Sequence, residues 1–275
     1  MARQTSISSL IEDRLSVVQN NKLPLKLRNS AKVVIHGIPT SLMRQFDIQE
    51  ESAKDYSMMR RLYVDTDNGV HYKYASLMDT SGNSLTFGVK DDASPNKNNS
   101  SIVFTIFDEA IFEYVNSWVF RDYGSRQKYP YITYGKLMPM YEFFNLIYVQ
   151  ILWTLTHYQR LEINDDFLFK VTIMGSKDYS LVTDLKDPIL EIDVEETHQK
   201  YALEEYQFED MLFNYNPLSL GSQNDFERTF MQIKAEIDQG LKKFWPLKSI
   251  NFDEWMETKQ FNYKLSEFLK VLRSK

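Results

Sequence analysis

Cysteine is absent from the 275 residues. That absence removes disulfides, thiol nucleophiles, thiolate zinc sites and iron–sulfur clusters, and it suits a reducing cytoplasm. Histidine is scarce: four, at positions 36, 71, 157 and 198, with no HxH or HxxxH, so a metal site would have to lean on carboxylates. Nine glycines and eight prolines leave little room for long loops. No apolar run approaches the ~20 residues that cross a bilayer. The opening MARQTSISSL has no apolar core behind its arginine, so neither a membrane partner nor secretion is expected. GxxxxGK[ST], GxGxxG and GxSxG are all missing, which argues against P-loop ATPases, Rossmann cofactor sites and serine nucleophile elbows. No cofactor and no metal is implied.

What is present is apolar and aromatic. Apolar residues make up 43% and aromatics 14%, ample for a packed core and against global disorder. Net charge is −6, unevenly placed. Between Asp187 and Asp210 nine acids face one base, Lys200, giving −8 there and +2 for the rest. That balance disfavours a generic nucleic-acid binder, which needs clustered Lys and Arg.

Residues 5–20 read as an amphipathic helix, with Ile7, Leu10, Ile11, Leu15 and Val18 on one face, broken by Pro24. From 31 to about 121 the period shifts towards two. KVVIHGI reads as a buried strand stopping at His36, where Gly37 turns the chain and Pro39 leads into a short helix at Thr40–Arg44. Asn68-Gly69 between two β-prone runs is a hairpin signal, DTSGNS a second turn, and residues 91–101 a loop. SIVFTIF is a strand, with Asp108-Glu109 turning into AIFEYVNSWVF. A helix starting at Pro139 is apolar on more than one side, so it is expected to be buried against two partners. FLFKVTIMG and PILEIDVE read as strands. Residues 224–244 read as a helix striped by Phe226, Phe230, Ile233, Ile237, Leu241 and Phe244, and a short helix closes the chain near 262–273. The fold class expected is α+β in one domain, 1–275: an antiparallel sheet-rich half, 1–135, packed with a helix-rich half, 136–275.

Three groups of residues carry candidate chemistry. On a strand, Glu191, Asp193 and Glu195 share one face and could hold Mg²⁺ or meet a partner. Asp187-Pro188 followed by Glu191 resembles metal-dependent nucleases faintly, but Asp193 stands where those need a lysine. The alternative is a solvated edge strand that repels other sheets. Arg60, Arg61 and Tyr63, with Tyr72 and Tyr74 across the hairpin, fit either single-strand nucleic-acid contact or Arg stems covering tyrosine rings on an ordinary sheet. Asp108, Glu109 and Glu113 are either a carboxylate pair or a turn followed by an exposed strand face. No spacing ties His36 to a base, acid or metal ligand, so it reads as a structural histidine at a strand end. His157 reads as a core or helix-end hydrogen bond; His71 and His198 have no readable partner.

Several stretches together resemble a known family. EDRLSVVQNNKLPLKLRNSAKVVIHGIP resembles a segment of bacterial proteins with an N-terminal Schlafen-type, AlbA-like ATP-binding domain: a helix with an arginine, a linker, and a strand ending in His-x-Ile-Pro. IVFTIFDEAIFEYV resembles a later strand-turn-strand, though the family usually has Arg-Asn-Gly or Arg-Asp-Gly at the turn. YVQILWTLTHYQRLEINDDFLFKVTIMGSKDYSL resembles its long helix with a tyrosine near the end, a strand, and a Gly-x-Lys-x-Tyr-like turn at Gly175–Tyr179. The likeness covers about residues 10–182. It implies the C-terminal module of such proteins without the ATP-binding domain, so neither ATP binding nor nuclease activity carries over to any residue here. The expectation is therefore a cytoplasmic, non-enzymatic interaction module. It would serve as sensor or adaptor in bacterial anti-phage defence, with a separate effector or a second copy as protein partner. A metal-dependent nuclease or phosphodiesterase and a single-stranded nucleic-acid binder are the alternatives.

Overall fold

The computed structural model describes residues 2–28, 30–41, 61–66, 69–75, 77–81, 83–90, 100–123, 135–177, 179–182, 199–200, 205–208 and 210–213, with seven helical positions between 228 and 239. The chain opens with helix α1 (Ala2–Gln19), then strands β1 (Lys32–Pro39), β2 (Arg61–Thr66), β3 (Gly69–Tyr74), β4 (Leu77–Ser81), β5 (Ser84–Lys90), β6 (Ser100–Phe107), β7 (Phe112–Asn116), β8 (Arg121–Tyr123) and β9 (Gly135–Pro139). Helix α2 (Met140–Arg160) follows. Strands β10 (Phe167–Met174), β11 (Ser180–Val182), β12 (Gln199–Lys200), β13 (Glu205–Gln207) and β14 (Met211–Phe213) come after it.

The expected division into a sheet-rich half and a helix-rich half does not hold. The main sheet has eight strands in the order β13-β10-β1-β7-β6-β5-β4, with β14 also on β10, and its pairings are antiparallel. Strands from beyond residue 136 form one flank of the sheet, so both halves of the chain build it. The reason lies in FLFKVTIM, whose alternating large residues bury one face and pair β10 with β1 along all eight residues, from Lys32↔Met174 to Pro39↔Phe167. Among the described residues there are two smaller sheets, β12-β11-β9-β8 and the hairpin β2-β3.

Helices cover both faces of the main sheet. Val34, Ile38, Val103, Val115 and Met174 point to one face and pack with Ile7, Ile11, Leu15 and Val18 of α1. Val33, Ile35, Phe104, Phe112 and Phe169 point to the other and pack with Ile147, Trp153, Leu155 and Tyr158 of α2. Phe104 meets Trp153 edge-on at 4.5 Å, and Tyr158 stacks on Phe167 at 4.2 Å. Residues 147–158 of α2 are all buried, as an all-round apolar helix requires.

The middle of β1 corrects a second expectation. The strand does not stop at His36; it runs through Gly37 to Pro39, and Thr40 and Ser41 beyond it are not helical. Residues 42–44 of the expected short helix lie outside the described residues. Gly37 therefore serves close packing, not a turn. A Cβ there would lie 2.8 Å from Thr154 Cγ2 and 3.0 Å from Phe169 Cε1. The Tyr158 hydroxyl reaches over it to share its proton between the carbonyls of Gly37 (2.7 Å) and Ala110 (2.9 Å). Burial holds that phenol well above its usual range, so it stays a donor. Asp165 fixes the strand's end by accepting from Thr40 Oγ1 (3.2 Å) and Ser41 N (2.7 Å).

Helices α1 and α2 end in the same device. Lys22 N bonds Val17 O and Asn21 N bonds Val18 O after α1, while Ile163 N bonds Tyr158 O and Glu162 N bonds Gln159 O after α2. The residues at the left-handed position are Asn21 (φ 54°) and Glu162 (φ 54°), where glycine is the residue without strain. The hairpin β2-β3 pairs Thr66 with Gly69, and the turn between β4 and β5 pairs Ser81 with Ser84. Residues 228, 231, 232, 234–236 and 239 are helical; the apolar stripe expected for 224–244, and the helix near 262–273, lie outside the described residues.

Two outcomes test this packing. Gly37→Ala should cost roughly 1–3 kcal/mol, because the methyl meets a filled core, and the urea midpoint should fall accordingly. Glu162 is exposed, so Glu162→Gly should gain about 1 kcal/mol by relieving the left-handed strain. A lower urea midpoint for that variant would contradict the assigned cap.

Candidate functional site

Three charged or titratable side chains stand where the sequence otherwise places apolar ones. Arg14 sits on the stripe of α1 between Ile11 and Val18, both buried. Glu113 lies between Ile111 and Val115 on one face of β7, and His36 between Val34 and Ile38 on the same face of β1; all four flanking residues are buried. The register of β1 on β7 puts His36 directly opposite Glu113. α1 then lays Arg14 over the pair.

The contacts close on one another. Arg14 Nη2 donates to Glu113 Oε1 at 2.6 Å and Arg14 Nε to Oε2 at 3.0 Å, a two-point clasp. His36 Nε2 lies 3.1 Å from the same Oε2. The side chains of Glu113 and His36 are 0% and 1% exposed, and of the three only Arg14, at 20%, keeps part of its side chain at the surface. The guanidinium carbon also rests 4.7 Å from the centre of the Phe107 ring. Burial by itself raises the Glu113 carboxyl. The hydrogen bonds from His36 and Arg14, with the positive charge beside them, outweigh it and hold Glu113 below the usual carboxylate range. Nδ1 of His36 is buried and has no hydrogen-bond partner. A proton there would be a stranded donor, so the network assigns the Nε2–H tautomer.

The register extends the polar feature across the sheet. Asp79, Thr86, Thr105, Glu113, His36 and Lys170 are opposite one another in turn, hence on one face. Thr86 and Thr105 share a hydrogen bond of 3.1 Å, and Lys170 Nζ meets Asp210 Oδ1 at 3.0 Å. A polar row thus crosses an apolar face beneath α1. Its central carboxylate has both oxygens engaged and no exposed surface. This arrangement clamps a helix; it does not present a base to a substrate.

The sequence expectations fare unevenly here. Glu113 is not on an exposed strand face: β7 lies between β1 and β6 and is buried throughout. Asp108 and Glu109 do form the turn, with Ala110 left-handed after it (φ 57°). His36 has an acid partner after all, but it lies 77 residues away and no spacing could show it. His157 is buried against Trp153, ring centres 4.0 Å apart. Glu191, Asp193, Glu195, Arg60 and His198 lie outside the described residues. Arg61 and Tyr63 are on β2, opposite Tyr74 and Tyr72. Among the described residues no three His, Cys, Asp or Glu are grouped to hold a metal, and no helix is long and apolar enough to cross a membrane. The missed residues were Arg14 and Lys170. The signal was available for Arg14, a cation on an apolar stripe between Ile11 and Val18; for Lys170, between Leu168 and the polar Thr172, the local pattern offered none.

Compared with protein-family models, with curated proteins and with solved structures, the chain matches none.

Glu113→Gln should destabilise the protein at pH 7, near the low end of the roughly 3–5 kcal/mol typical of a broken buried pair, because Arg14 keeps some water. The folded carboxyl is depressed, so its contribution is present above the unfolded value of about 4.3 and is lost as pH falls through the folded one. Urea unfolding of both proteins at pH 7, 4 and 3 should show the gap between them closing below about pH 4. A gap that is constant with pH would contradict the ion pair.

Proposed function

We propose that the protein is a non-enzymatic interaction module of the cytoplasm, the sensor or adaptor half of a bacterial defence pair whose chemistry resides in a separate effector. The observation that carries this reading is the use of the buried charges. Arg14, Glu113 and His36 satisfy one another beneath α1, and what they accomplish is the seating of a helix on a sheet. A buried ion pair adds little stability over a well-packed apolar substitute. Its best-attested use is to specify which element packs where.

The family resemblance is supported by the same cluster. Its segments were distant in sequence, yet the arginine of the first (Arg14) and the histidine of His-x-Ile-Pro (His36) meet on a glutamate of the second (Glu113). The tyrosine of the third, Tyr158, bonds the residue after that histidine. Co-expression with the products of neighbouring genes should yield a stoichiometric complex that survives gel filtration. A chain that stays monomeric and co-purifies with none of them would overturn the reading.

A second reading is favoured by the hairpin register. Arg61, Tyr63, Tyr72 and Tyr74 fall on one face of β2-β3, the residue types on which single-stranded bases stack. Binding of labelled single-stranded DNA or RNA with a steep loss at rising salt, weakened by Arg61→Ala and Tyr63→Ala, is the expected outcome. Absent or salt-insensitive binding would remove it.

A further inference from the structure

We draw no further inference here: the strongest candidate, the pair of buried donors on helix α2 with no hydrogen-bond partner, Gln150 Nε2 and Trp153 Nε1, sits in a packed core, and nothing in the structure shows a cavity or an acceptor that would draw a ligand to them.

Discussion

A carboxylate on the middle strands of a covered sheet must be met by a cation from above, because its neighbours to either side are other strands. Glu113 has Thr105 on one side and His36 on the other. Thr105 brings no charge, His36 reaches only one of its two oxygens, and β7 is buried throughout. The guanidinium of Arg14 engages both oxygens, and it arrives only if α1 lies across the sheet at one height and one rotation. The place of the first helix is thus set less by its apolar stripe, which would tolerate sliding, than by one charge it must reach. Phe107 beneath the guanidinium and the row from Thr86 to Lys170 are consistent with a face organised around that demand.

The opposite face works by exclusion. There Gly37 admits Thr154, Phe169 and the Tyr158 hydroxyl to distances that no side chain at that position would allow. The tyrosine then satisfies two carbonyls from different parts of the chain. One face is specified by charge and the other by volume, and β1 carries the deciding residue of each, His36 and Gly37, side by side. Adjacent residues on a strand point to opposite faces, which is how a His-Gly dipeptide serves two helices at once.

Much of this was legible in the sequence as local pattern. Both helices, the strand KVVIHGI, the turn at Asp108-Glu109 and the hairpin at 61–74 follow from periodicity and turn residues. What was not legible depends on long-range pairing. FLFKVTIM is readable as a strand, but nothing in it says that it joins β1 and so draws the second half of the chain into the sheet. Glu113 reads as exposed when β7 is taken alone, since alternation looks the same in an edge strand and a central one. Its flanks Ile111 and Val115 were the correction within reach. The His-Gly pair was read as a corner because glycine and proline commonly end strands, whereas here close packing and the free end of the strand accommodate them.

The pairing of β1 also has a consequence for how the protein is made. About 140 residues separate Lys32 from Met174, partners in the central ladder. At a synthesis rate of roughly 5–20 residues per second, the strand at the heart of the sheet leaves the ribosome roughly seven to thirty seconds before its second neighbour exists. During that interval one edge of this largely apolar strand lacks its native partner and is open to mispairing. The polar residue in its middle, His36, interrupts what would otherwise be an unbroken aggregation-prone run.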